Sequence, residues 1–180
     1  IGGNLCHSDP AGDPAPVLIA LNGRLKIASL RGERALAVED FATDYFETVL
    51  EADEILTEIQ VPNPSPHTGT AYKKFTKREG DMGIVGIAVS ITLSQMNGTC
   101  KDARIVLGAV APVPMRARKA ERILAGKVIK DKLLEEAARV ASEEAAPTSD
   151  IHASEEYRRE LVKVLVKRVG QEALARARKA

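Results

Sequence analysis

Apolar and polar side chains alternate with period two over residues 54–62, Glu-Ile-Leu-Thr-Glu-Ile-Gln-Val-Pro. That spacing predicts a half-buried strand ended by Pro62, which has no N–H to continue a ladder. An Asn22-Gly23 turn leads into a shorter strand over 24–29, and Gly32 turns the chain into another over 33–38. Residues 38–50 predict a short helical or coiled stretch. Residues 83–93 form an apolar run rich in β-branched side chains; Asn97-Gly98 then turns the chain into a partner strand over 103–111, ended by Pro112 and Pro114. From residue 115 the period lengthens. Ala117, Ala120, Ile123 and Leu124 share one face of a helix over 115–126, with Gly126 as its stop. Leu134, Ala137, Ala138 and Ala141 follow helical spacing after a capping Asp131. A last helix starts at Ser154 with Glu155 and Glu156 in its first turn, Tyr157, Leu161, Val164, Leu165 and Val169 inward, and its Arg and Lys side chains outward. Strands followed by helices predict an α+β fold whose antiparallel sheet is covered on one face. The loop over 63–70 contains Pro64, Pro66 and Gly69, and it divides the chain into units 1–66 and 67–180.

Composition narrows the function without naming it. At 180 residues the chain can bury one sizeable core or two small ones. Its 26 basic residues nearly cancel 25 acidic ones, which argues against nucleic acid as an obligatory partner. No apolar run approaches the roughly 20 residues needed to span a bilayer. Cys6 and Cys100 cannot supply a four-cysteine iron–sulfur cluster and are expected as reduced thiols in a cytoplasmic protein. His67 sits in the Pro-rich loop with no second ligand type beside it, so a metal role is not expected.

The chemistry concentrates in the first thirteen residues, Ile1-Gly2-Gly3-Asn4 through Asp13. Adjacent glycines permit a positive-φ turn whose N–H groups can nest an anion such as a pyrophosphate. Asn4 adds a side-chain amide, and Asp13 offers a carboxylate to sugar or polyol hydroxyls. Asp13 before Pro14 also has the form of an N-cap for a helix over 14–21, and a carboxylate has lone pairs enough for both roles.

Ile-Gly-Gly-Asn, the nine-residue step to Asp13 and the following Pro-Val-Leu-Ile-Ala-Leu resemble the second FAD-binding motif of the xanthine dehydrogenase/CO dehydrogenase flavoproteins, the medium subunits of molybdenum hydroxylases. Residues 53–62, 71–83 and Ser149-Asp-Ile-His-Ala-Ser-Glu-Glu-Tyr-Arg-Arg159 extend the resemblance along nearly the whole chain. It implies the second part of an FAD-binding α/β subdomain (PCMH type) in residues 1–66, then the family's C-terminal flavoprotein domain in 67–180. The family's first Gly-rich pyrophosphate loop is expected upstream of Ile1.

By the same resemblance, the backbone of Ile1, Gly2, Gly3 and Asn4 lies on the FAD pyrophosphate and Asp13 holds the ribityl side. Leu56 edges the site from the 54–62 strand, where a core leucine is an equal reading. Lys73 takes the family's FAD-contacting position within the cluster Lys73, Lys74, Lys77 and Arg78, whose alternation puts Lys73 and Lys77 on one strand face and Lys74 and Arg78 on the other. A charged edge strand is the alternative for that cluster. Arg78 and Asp81 belong to a loop near the isoalloxazine, and Met82 stands where many relatives have an aromatic residue. No catalytic side chain and no metal ligand is expected, because an electron relay needs neither base nor nucleophile. The implied function is electron transfer from [2Fe–2S] clusters in a small partner subunit, through FAD, to an external acceptor, with substrate oxidised at molybdopterin in a large partner subunit. A cofactor-less assembly module and a vanillyl-alcohol-oxidase-type FAD enzyme are the alternatives.

Overall fold

Three antiparallel sheets organise the chain, and the computed structural model describes residues 1–180. Two short helices come first, α1 (Gly2–His7) and α2 (Pro14–Ala20). A three-stranded sheet in the order β2–β1–β5 follows, from β1 (Arg24–Ser29), β2 (Gly32–Ala37) and β5 (Ile55–Gln60). Alternation along β1 decides the inner face: Leu25 and Ile27 are fully buried and meet Leu18 and Ile19 of α2, with Val38 and Phe41. The strand predicted over 54–62 forms as β5, but its alternation is not realised as burial: Ile55 is 69% exposed, and the half-buried Leu56 and Ile59 lie either side of a register shift. The stretch expected to be helical or coiled is largely turn and 3₁₀ but also holds two short strands. A single 3₁₀ turn, Val38–Asp40, leads into a small hairpin of β3 (Ala42–Asp44) and β4 (Glu47–Thr48).

The second unit is built on a four-stranded sheet in the order β6–β7–β8–β9: β6 (Thr68–Phe75), β7 (Val85–Leu93), β8 (Cys100–Gly108) and β9 (Met115–Arg116). Met115 and Arg116, expected to start a helix, instead pair with Leu107 and Val106, and α3 (Arg118–Leu124) begins two residues later. Helices α4 (Asp131–Glu144) and α5 (Glu155–Ala177) complete the layer, and α3, α4 and α5 cover one face of the sheet.

Both faces of this sheet are covered, against the expectation of one. Ile87, Val89 and Ile91 of β7 enter the core beneath the helices, while Ala88 of β7 and Val106 of β8 pack into the cluster that contains Leu18 and Ile19 of α2. The continuous apolar run in β7 is the sequence trace of that double burial. Polar links reinforce the junction. The Arg104 guanidinium donates to Asn22 Oδ1 at 2.8 Å, and Arg118 pairs with Glu39.

Helix α5 departs most from its predicted facing. Ser154 caps it, accepting from the Tyr157 N–H at 3.2 Å. Val162, Leu165, Val166, Val169, Ala173 and Ala177 form the buried stripe, whereas Tyr157 and Val164, expected inward, are 46% and 42% exposed. Arg158, expected outward, is buried at 6% exposure. Its guanidinium donates to the carbonyls of Ile84 (2.6 Å) and Ala109 (3.1 Å) and to Asp150 Oδ2 (2.7 Å), so it ties the ends of β7 and β8 to the loop before α5. Farther along, α5 lies so close on β6 that a Cβ at Gly69 would stand 2.1 Å from the Ala173 carbonyl oxygen.

Candidate functional site

The opening motif is helical. Gly2 and Gly3 occupy the first turn of α1 and neither has positive φ, so the expected glycine-turn nest is replaced by the first N–H groups of a short helix. Glycine here costs up to about 1 kcal/mol of helix stability relative to alanine. Nothing in the chain requires it. A Cβ at Gly3 would meet no atom within 4 Å, and one at Gly2 would only touch Leu56 Cδ2 at 3.9 Å. The two glycines thus leave an open surface at the start of α1, bordered by Leu56 of β5. Asn4 is exposed on the same turn.

The loop that follows is pinned at several points. Ser8 adopts the left-handed conformation that ends α1, and its carbonyl accepts from the Phe46 N–H at 3.1 Å. Asp9 Oδ1 accepts from Ala11 N–H at 2.8 Å, and its carbonyl accepts from Gly12 N–H at 2.9 Å. The Pro10 carbonyl accepts from Ala109 N–H at 2.8 Å, beyond the end of β8. These bonds fix the path from the glycines to Asp13 across both units.

Asp13 stands at the N-cap position of α2, but its side chain makes no capping bond. It turns to β6. The Tyr72 hydroxyl donates to Oδ1 at 2.6 Å and the Lys74 ammonium to Oδ2 at 2.8 Å. Burial, then the bond to Asp13 and its charge, push the Tyr72 phenol well above its ordinary range, so it stays a donor. Each Asp13 oxygen keeps a lone-pair site, and the side chain is 43% exposed.

Consecutive lysines part company at this strand. Lys73 projects from the opposite face of β6, over α5, where Nζ pairs with Glu172 at 2.9 Å. The structure therefore joins Asp13 to Lys74 and does not bring the expected Lys73 side chain to the opening motif. The alternation is readable in the sequence; which face meets Asp13 is not. Tyr72 is the Asp13 partner that sequence reasoning misses, having no signal beyond its place in the matching stretch.

Arg78 and Asp81 lie in an exposed turn, the Asp81 N–H donating to the Arg78 carbonyl at 3.2 Å. Met82 lines a cavity of about 200 Å³ with Tyr45, Phe46, Ala109 and His152. His7 packs its ring on Phe46, centroids 5.2 Å apart, a structural contact. His67 bonds through Nδ1 to the Ala180 carbonyl oxygen at 2.9 Å. Burial, then the Asp102 charge, push the Cys100 thiol up to about 11, and burial also raises Cys6, so neither thiol is activated as a nucleophile. No group of three or more His, Cys, Asp or Glu side chains converges as a metal site. A larger groove, about 720 Å³, runs between α4 and α5 but is lined largely by charged side chains, among them the Lys167–Glu135 pair, and shares no residue with the motif.

The donor set suits FAD. It comprises an open helix start, a carboxylate with free lone pairs facing solvent, and an apolar edge at Leu56. No helix of the structure is long and apolar enough to cross a membrane.

Residues 70–173 match the CO dehydrogenase flavoprotein C-terminal domain, and residues 1–64 match the FAD binding domain in molybdopterin dehydrogenase. Over 176 residues the chain is 37% identical to the nicotine 6-hydroxylase medium subunit of Paenarthrobacter nicotinovorans, covering 98% of this chain and 61% of that protein. It is 33% identical to the carbon monoxide dehydrogenase medium chain of Afipia carboxidovorans, covering 99% and 61%. The chain spans about 60% of the length of these relatives. Reconstituted CO dehydrogenase from Oligotropha carboxidovorans superposes with a TM-score of 0.90 at 31% identity, over 97% of this chain and 60% of that one. Quinoline 2-oxidoreductase from Pseudomonas putida 86 gives 0.89 at 34%, over 98% and 61%.

Proposed function

This chain belongs to the FAD-binding medium-subunit family of the xanthine dehydrogenase/CO dehydrogenase type, and we propose that it forms part of an FAD site in an electron-transferring oxidoreductase complex. The observation that carries this is the pair Gly2-Gly3. Two glycines in a helix turn, with negative φ and open space where a Cβ would go, have no use to the chain itself. A group that approaches the backbone from outside gives them one. The backbone of Ile1, Gly2, Gly3 and Asn4 holds the pyrophosphate, Asp13 accepts from the ribityl hydroxyls, and Leu56 borders the site. Lys74, on the Asp13 face, takes the place given to Lys73 by resemblance; Lys73 acts on the fold through Glu172.

FAD supplies the electron uptake and release, while the protein's part is to bind it, orient it and set its electrostatic surroundings. The arriving electrons come from [2Fe–2S] clusters of a small partner subunit and leave to an external acceptor, substrate being oxidised at molybdopterin in a large partner subunit. Residues 1–66 and 67–180 are the two units that share the site. The names of the relatives, a nicotine hydroxylase and a carbon monoxide dehydrogenase, leave the substrate open among N-heterocycles, aldehydes and carbon monoxide.

Visible absorption of the natural protein, with apo-protein titrated by FAD, tests the proposal. Gly3→Ala should stabilise the apo-protein slightly, by at most about 1 kcal/mol, yet weaken FAD binding. Asp13→Ala should weaken it as well. A colourless protein that takes up no added FAD, or a Gly3→Ala variant that binds FAD as tightly as the parent, contradicts the proposal.

A further inference from the structure

Asp13 is oriented from the second unit, and the surroundings of that contact are shaped for it. The Tyr72 ring leaves β6 and slants across β7, passing over Gly86; a Cβ on Gly86 would stand 3.0 Å from the Tyr72 hydroxyl. One strand farther, a Cβ on Gly108 would stand 2.9 Å from Cγ of Pro16, in the first turn of α2. Gly86 and Gly108 are opposed across the β7–β8 ladder. Neither has positive φ, so backbone conformation does not demand glycine at either position. Space does. The missing side chains let the start of α2 settle on the sheet and let the Tyr72 hydroxyl reach past β7 to Oδ1 of Asp13 at 2.6 Å. Lys74 then takes Oδ2 from the solvent side at 2.8 Å.

We propose that Tyr72 is a positioning residue for the Asp13 carboxylate, and that Gly86 is the recess which lets its hydroxyl get there. The proposal rests on the assignment of Asp13 to the FAD ribityl hydroxyls. With one oxygen held by a half-buried phenol and the other by an ammonium, the carboxylate is held in one orientation and keeps a lone-pair site on each oxygen for a polyol hydroxyl. A side chain fixed before the ligand arrives does not lose rotamer freedom on binding, so the fixed carboxylate contributes to affinity. The cofactor site is thereby made dependent on the second unit, through a residue that need not touch the cofactor.

The test uses the natural protein stripped of FAD and titrated with it, flavin fluorescence giving the dissociation constant for Tyr72→Phe, Asp13→Asn, Gly86→Ala and their pairwise combinations. Tyr72→Phe keeps the ring and its packing. It should raise the dissociation constant about tenfold, the scale of one hydrogen bond to a charged group. In the Asp13→Asn background, where the phenol has only a neutral amide oxygen to hold, the same change should have a clearly smaller effect. Gly86→Ala should weaken binding severalfold in the parent and have no effect in the Tyr72→Phe background, where the hydroxyl it would displace is gone. A Tyr72→Phe effect that persists in full on Asp13→Asn, or no Tyr72→Phe effect while Asp13→Asn weakens binding, overturns the positioning role and leaves the FAD assignment standing. If Asp13→Asn leaves affinity unchanged, the FAD assignment of Asp13 fails and the positioning role fails with it.

Discussion

The two faces of the β6–β9 sheet hold their neighbours by different means. Toward α5, contact is backbone-close and apolar at its centre, with polar links only at the margins through Arg158 and the Lys73–Glu172 pair: Gly69 admits the helix to within a distance no side chain tolerates, and Ile87, Val89 and Ile91 fill the layer beneath. Toward α2, the contact combines a small apolar patch, Ala88 and Val106, with polar bonds from Tyr72 and Lys74 to Asp13. The first face stabilises the fold and leaves little to adjust. The second spends polar groups on one carboxylate, which is how a scaffold sets the geometry of a binding group. Lys73 and Lys74, adjacent in sequence, fall on opposite sides of that division.

Substitutions separate the faces. Gly69→Val should have the largest effect on stability, because its Cβ would overlap the backbone of α5 at Ala173 and Ala177; a loss of more than about 4 kcal/mol in urea unfolding, or no folded second unit, is expected. Arg158→Met should cost about 3 kcal/mol by leaving the Ile84 and Ala109 carbonyls and Asp150 without their donor. Hydrogen-exchange protection of β6 for Gly69, and of α5 and the ends of β7 and β8 for Arg158, checks where each loss falls.

Acid unfolding sharpens the picture at the same corner. Burial disfavours the charged form of Asp150, but the N–H groups of Ala153 and His152 and the Arg158 guanidinium outweigh it and hold the carboxyl at about 2, below the ordinary 3.8. A depressed folded-state value means the contribution is present above about pH 4 and disappears as pH falls toward 2. Asp150→Asn should therefore flatten stability against pH across that window, and a slope equal to the parent's would show that Asp150 contributes nothing to it. The smallest effect belongs to Lys73→Ala. Loss of its solvent-screened pair with Glu172 should leave the thermal unfolding midpoint at the parent's value.

Much of the fold is legible in the sequence. The existence of β5, the apolar β7 run and the helical periods of α3 and α4 indicate the layer order, whereas the β5 alternation does not report its burial, because a register shift interrupts the strand's pairing with β1. Three features are not legible there. Gly2-Gly3 suggests a turn because glycine's freedom is visible in sequence, whereas the choice of helix is made by the contacts on either side of it. Arg158 reads as solvent-facing because charge is the only signal it carries, and the two carbonyls that draw it inward come from residues 84 and 109, distant in sequence. The face shared by Tyr72 and Lys74 is predictable as a face, but not as the one that meets Asp13, because the pairing spans about sixty residues and depends on α2 docking over Gly108.

The division between the two faces is tested most directly by FAD titrations of Lys73→Ala and Lys74→Ala in the natural protein, side by side. Removing Lys74 should weaken FAD binding severalfold while Lys73→Ala binds like the parent. The reverse order, or equal losses for both, would contradict the assignment of the cofactor to the Asp13 face.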